Sequence, residues 1–113
     1  MSGPPDVGEM MKQAQQMQEK VEQLQRELAM QRFEASSGGG MVTAIVTGQL
    51  RVLEIKFETG LLEETDRDML QDLTAAAVNA ALEKAQRGAQ DAFQRLQSGF
   101  VIPGAGNASG GSS

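Results

Sequence analysis

The chain has 113 residues and a formal charge of −5, a length that suits one domain and a charge that gives no support to a uniformly basic nucleic-acid binder. It contains no cysteine and no histidine, which removes disulfides, thiolate metal sites and the commonest general base and metal ligand. No apolar run has the length of a membrane span and no signal-peptide order opens the chain, so a soluble, cytoplasmic protein is the simplest expectation.

The first six residues, "MSGPPD", and the stretch 99–113 are rich in Gly, Pro and Ser. Both are expected to be flexible, which leaves residues 7–98 as the folded domain. With no Trp or Tyr and four Phe, its core has to be aliphatic. About 90 ordered residues bury only a modest core, and oligomerisation is a common remedy.

From Val7 to about Gln31 the composition predicts a helix. Its apolar residues recur in alternating steps of four and three, with Ala14, Val21 and Leu28 on one side of a seam and Met10, Met17 and Leu24 on the other. Such a helix is about 39 Å long, against a radius of gyration of about 13 Å for a compact domain of 100 residues. It therefore requires a long partner, either a second helix or another subunit.

Arg32 to Ser36 is a candidate edge strand. Gly38, Gly39 and Gly40 follow, and then Met41 to Thr47 alternates, with Val42, Ala44 and Val46 on one face and Thr43 and Thr47 on the other. Leu53, Ile55 and Phe57 make the matching apolar face of the next run. Gly48-Gln49 fits a tight hairpin between the two, and pairing through either a two-residue or a four-residue loop keeps Val42 and Ala44 on the same face as Leu53 and Ile55. Two or three strands are marginal alone and need a helix against the apolar face.

Thr65 is expected to cap a second helix running to about Gln97, with Asp66 and Asp68 in its first turn and Gly99 as its stop. The small-residue run "LTAAAVNAAL" reads as tight packing on the sheet. Gly88 marks a bend or a close crossing, because glycine costs about 1 kcal/mol relative to alanine inside a helix. The expected fold class is α+β, a two-layer α-β-β-β-α arrangement with long terminal helices around a small antiparallel sheet.

Three segments, "SGGGMVTAIVTG", "LEIKFETGLLEETDRDMLQDLTAAAVNAALEKA" and "GFVIPG", together resemble the YbaB/EbfC family of bacterial nucleoid-associated proteins across roughly residues 8 to 104. The family pattern is a glycine cluster before a strand, an acidic helix start, an alanine-rich helix core and a final "lPG". "VNAAL" and "FETG" depart from the usual "VNDAL" and "IDPS". The resemblance implies a tweezer-shaped homodimer with no cofactor. It also implies binding of double-stranded DNA by projecting helices with low sequence selectivity, a nucleoid location, and roles in nucleoid organisation, gene regulation or DNA repair.

The residues themselves argue against an enzyme. The one dense set of carboxylates, Glu63, Glu64, Asp66, Asp68 and Asp72, reads as charge complementing a helix N-terminus, and it matches no EF-hand loop. The glycines precede a strand, whereas a phosphate-binding loop follows a strand, opens a helix and ends in Gly-Lys-Ser/Thr. They read as a bend by which the chain leaves the long first helix and enters the sheet.

Charge by segment is uneven. Residues 59–72 hold five acids and one base, while residues 73–98 hold three bases and two acids. The candidate DNA-contacting residues are Lys84, Arg87 and Arg95 on the second helix, and Lys12, Lys20 and Arg26 on the first. The charge pattern alone would describe ordinary solvated helix surface; the resemblance favours phosphate contact. The competing reading is a prefoldin-like or coiled-coil protein-interaction module, although the second helix has a poor heptad for that role.

Overall fold

A computed structural model of the chain describes residues 6–60 and 66–99. The element order is α1 (Val7–Met30), β1 (Arg32–Ser37), a short 3-10 turn (Gly38–Gly40), β2 (Val42–Thr47), β3 (Val52–Phe57) and α2 (Arg67–Ser98). The three strands form one antiparallel sheet in the order β1-β2-β3. The expected α+β class and the edge strand are both present. Of the ends expected to be flexible, 1–6 and 99–113, residues 1–5 and 100–113 lie outside the described residues, while Asp6 and Gly99 cap the two helices.

Each helix starts on an aspartate. The carboxylate of Asp6 accepts from the backbone N–H of Gly8 at 3.3 Å, and that of Asp66 accepts from Asp68 at 3.0 Å. Asp66, rather than Thr65, is therefore the N-cap of α2. An aspartate there satisfies an orphan N–H and places negative charge at the positive end of the helix dipole. Thr65 itself lies outside the described residues. At the other end, the N–H of Gly99 returns to the carbonyls of Arg95 and Leu96, as a helix stop does.

The triple glycine is a bend, but it joins different elements from those expected. Gln31 alone, at φ −77° and ψ 135°, turns the chain out of α1 into β1. Gly38, Gly39 and Gly40 carry φ of 60°, 68° and 100° and connect β1 to β2. These left-handed values disfavour residues with a Cβ, which is why three glycines stand together. Beside them, the hydroxyl of Ser37 donates to the carbonyl of Leu73 at 2.6 Å and holds the turn against α2.

The β2–β3 hairpin is wider than a Gly48-Gln49 turn. Thr47 N–H donates to the Arg51 carbonyl at 2.8 Å, and the loop is Gly48 to Arg51. The buried Thr47 hydroxyl accepts from the N–H groups of Gln49 and Arg51. Pairing runs Val42↔Phe57, Ala44↔Ile55 and Ile45↔Glu54, then shifts so that Val46 faces Val52. This bulge removes Leu53 from the regular alternation expected for it. Ile55 reaches the core, whereas Val52, Leu53 and Phe57 are exposed.

The core is built from small residues on the helix and branched ones on the sheet. Ala77, Ala81 and Ala85 are completely buried against Ala35, Val42, Ala44 and Val46. Steps of four place these alanines on one face, and their short side chains let the helix axis approach the strands closely. Complete burial of Val42 and Val46 contributes about 2 kcal/mol each. Met69 and Ala76, apolar residues of the same helix, lie off this face and are exposed. At Gly88 the helix continues unbroken, and the Phe33 ring fills the place of a side chain: a Cβ there would lie 2.6 Å from the ring. Of the two readings of Gly88, close crossing is the one observed.

The direction of α1 follows from these contacts. Ser37 meets Leu73, Glu34 meets Lys84 and Phe33 meets Gly88, so β1 runs antiparallel to α2. Because α1 precedes β1 by one residue, α1 also lies antiparallel, alongside the C-terminal half of α2. Leu28 and Gln25 accordingly share a groove with Ala89, Phe93 and Gln97. The required long partner for α1 is thus partly the chain's own second helix. The result is elongated, with extents of 75 × 32 × 16 Å.

Gly48 pins α1 to the sheet. Its N–H donates to the Leu28 carbonyl at 2.8 Å, and a Cβ on it would stand 2.7 Å from that same oxygen. Since the obstacle is backbone, Gly48→Ala is expected to force the helix off the hairpin and to cost about 2 kcal/mol, within the usual range for overpacking. Urea denaturation at fixed chain concentration checks this.

Candidate nucleic-acid interface

All six cations singled out by sequence, Lys12, Lys20, Arg26, Lys84, Arg87 and Arg95, are solvent-exposed. The fold brings one set together more tightly than the other. At about 100° per residue, Arg95 falls roughly 20° from Lys84 round the α2 axis, and Arg87 about 60° to the other side. They make a stripe about 16 Å long on the side of α2 next to β1. Lys84 fixes that placement, because its Nζ donates to the Glu34 carbonyl of β1 at 2.9 Å. Asp91 lies within the same arc and dilutes the stripe.

On α1 the cations turn away from the seam. Arg26 and Lys12 lie roughly opposite Leu28 and Lys20 is to one side, by the same angular count. Glu9, Glu19, Glu22 and Glu27 share the helix, so four acids stand against three bases. Lys20 is engaged in an interaction of its own. The α1 set is a dispersed, mixed-charge surface; the α2 set is a short positive stripe.

Three further cations belong to the sheet region. Arg32 and Lys56 alternate with the core-facing Phe33, Ala35 and Ile55 and so occupy the face away from α2, with Glu34 and Glu54 for company. Arg51 is in the β2–β3 loop. Strand alternation was the available signal for the first two, and it places them on a surface of mixed sign.

Other kinds of site find little support. Among the described residues no group of carboxylates is arranged to hold a metal, and no buried side-chain polar atom lacks a hydrogen-bond partner. Asp66 caps α2, Asp68 occupies its first turn and Asp72 is exposed. Glu63 and Glu64 lie outside the described residues. No helix among those described is long and apolar enough to cross a membrane.

A second surface feature accompanies the stripe. α2 lies over β1 and β2 and barely reaches β3. Val52, Leu53 and Phe57 on β3 are therefore 46%, 50% and 40% exposed, and Leu50 beside them is 44% exposed. Phe57, Leu70, Thr74, Ala75 and Val78 line a shallow groove between the strand and the helix. The open strand edge of β3 thus lies next to exposed apolar surface.

The described residues thus make a two-helix, three-stranded fold with a basic stripe on α2 and an uncovered sheet edge at β3. The sequence matches the YbaB/EbfC DNA-binding family over residues 3–100, nearly the whole chain, and the protein belongs to that family. It is 42% identical over 94 residues to a nucleoid-associated protein of Syntrophobacter fumaroxidans, covering 83% of this chain and 86% of that one. It is 38% identical over 99 residues to a nucleoid-associated protein of Caldanaerobacter subterraneus, covering 88% and 89%. The fold is also that of an uncharacterized Helicobacter pylori protein of known crystal structure. That likeness has a TM-score of 0.61 at 20% identity and covers 74% of this chain and 96% of the other.

Proposed function

We propose that the protein is a nucleoid-associated factor that binds duplex DNA without catalysis, as a homodimer, through the Lys84, Arg87 and Arg95 stripe. Lys12, Lys20 and Arg26 add secondary contacts. The observation that carries this reading is the stripe itself, held in place by the Lys84–Glu34 hydrogen bond, in a chain that belongs to a DNA-binding family. Phosphate contact needs only a local cluster of cations, and a two-fold axis doubles each cluster. Contacts from the stripe to phosphate oxygens carry no sequence information, so selectivity is low. The acidic total charge keeps affinity modest, and affinity falls steeply with salt as counterion release at the phosphate contacts is lost.

Anisotropy of labelled duplexes of differing sequence tests the proposal. Similar affinities at low salt that fall together as salt rises are the expected result. An absence of binding at low salt would turn attention to a protein partner instead.

The dimer is seated on the uncovered β3 face. Two copies related by a two-fold axis bury Val52, Leu53 and Phe57 of each chain and bring the open edges of β3 together. Light scattering of the native chain is expected to return the mass of two chains. Phe57→Glu is expected to return one, because a desolvated, unpaired carboxylate is costly at an interface. Phe57 is exposed in the single chain, so circular dichroism of this variant should remain helical. A native mass of one chain would refute the dimer.

A further inference from the structure

Leu50, in the β2–β3 loop, has a φ of 65° and is the one residue other than glycine with a left-handed φ among those described. Its N–H closes the loop on the Thr47 carbonyl at 2.9 Å. Hairpin loops usually give a left-handed position to glycine or asparagine, because a bulkier side chain is strained there. Leucine is therefore a poor choice for the loop by itself. It shares a hollow with Asn79, Leu82 and Gln86 of α2, yet its side chain stays 44% exposed. Strain held at an exposed apolar residue points to a contact outside the loop.

A hollow of matching character lies at the other end of β3. Phe57, Leu70, Thr74, Ala75 and Val78 line it, on the side of the sheet that α2 covers, and no charged side chain is in its wall. Leu50 cannot fill it within one chain. Leu50 precedes β3 and Phe57 ends it, so the two stand roughly 20 Å apart along the strand.

We propose, resting on the two-fold pairing of β3 put forward for the dimer, that Leu50 of each copy docks in this hollow of the other. Antiparallel pairing about a two-fold axis sets the Val52 end of one β3 beside the Phe57 end of its copy. It also keeps both α2 helices on one side of the joined sheet. Leu50 and the hollow both border α2, so they meet on that side. The contact occurs twice, as a self-complementary interface requires, and it extends the exposed apolar surface of Val52, Leu53 and Phe57. A slip of two residues keeps every side chain on its face, so strand pairing alone leaves the register open. A leucine seated at each end fixes it. The register in turn fixes the distance between the two basic stripes, and hence which phosphates they reach together.

The native chain has no cysteine, so engineered thiols report this contact in the full-length protein. Leu50→Cys with Gln71→Cys puts one thiol on the loop and one on the wall of the hollow. Inside one chain they cannot meet. Leu50 borders α2 from Asn79 onward, and Gln71 is a further 12 Å or so along the helix, beyond the roughly 7 Å between α-carbons that a disulfide spans. Under mild oxidation, at concentrations where the native chain has the mass of two, the double variant is expected to form interchain disulfides about tenfold faster than either single variant. Equal rates beside a native mass of two chains would overturn the docking and leave the β3 pairing standing. A native mass of one chain would overturn both.

A second measurement needs no cross-link. Leu50→Gly relieves the strain and removes the docking side chain, so its circular dichroism should stay native. Its dimer dissociation constant, read by sedimentation, is expected to rise about tenfold. Ala75→Met crowds the hollow from an exposed position on α2. It should weaken the native dimer but not the Leu50→Gly dimer further. An unchanged dissociation constant in Leu50→Gly, or equal weakening by Ala75→Met in both backgrounds, would also overturn the docking.

Discussion

Charge reversal of the α2 stripe, Lys84→Glu with Arg87→Glu and Arg95→Glu, is expected to weaken DNA binding about a hundredfold at low salt and to flatten its salt dependence. Each phosphate neutralised releases counterions, so removal of three cations lowers the slope of log K against log salt by roughly three per chain. Reversal adds repulsion to the loss of attraction. Lys84 has a second role, because its ammonium also donates to the Glu34 carbonyl, and that bond is worth about 1.5–3 kcal/mol as a charge-assisted one. The double variant Arg87→Glu with Arg95→Glu separates the two roles, since it leaves the tether in place. It should keep the native melting temperature and still lose most of the affinity. A folded dimeric triple variant that binds as well as the native chain would remove the stripe from consideration.

Ala81→Leu is expected to give the largest loss of stability of any single replacement discussed. Ala81 is completely buried between Ala77 and Ala85, with Ala35, Val42, Ala44 and Val46 in the same cluster. Added carbons have no cavity to enter, so α2 must lift from the sheet. Overpacking of this kind costs about 3 kcal/mol, or a fall in melting temperature of about 15 °C for a domain near 100 residues. Ala76→Leu is the matching control: it adds the same carbons on the same helix, but on its exposed side, and should change stability by no more than about 0.5 kcal/mol. Both melts need equal chain concentrations, because dimerisation couples stability to concentration. Similar melting temperatures for the two variants would contradict the close helix–sheet approach.

Much of the fold was legible because its cues are local. Heptad spacing marks α1, the alternation of Val42, Ala44 and Val46 with Thr43 and Thr47, broken at Ile45, marks β2, and the alanine steps of four mark the buried face of α2. Bulge, caps and turn partners were less legible. Whether Thr65 or Asp66 caps α2 depends on which residue takes the non-helical backbone position, and neighbouring capping residues give equal signals. The Val46↔Val52 register is set by the long Gly48–Arg51 loop, whose closure depends on the Thr47 hydroxyl. The triple glycine signals a bend wherever it occurs; only the reality of β1 shows that the bend joins two strands.

The candidate site divides in the same way. Sequence by itself determined that the chain lacks histidine and cysteine, that residues 73–98 carry more bases than acids while residues 59–72 are acidic, and that Lys84, Arg87 and Arg95 fall near one helical face. These are consequences of residue type and of the 3.6-residue period, which hold in any context. Tertiary structure decided that α2 covers β1 and β2 while leaving β3 open, and that Lys84 is tied to β1. Each of those depends on where two distant segments meet. The meeting is governed by the close approach that Ala77, Ala81, Ala85, Gly48 and Gly88 permit, and small residues show in a sequence only that something is allowed to come near.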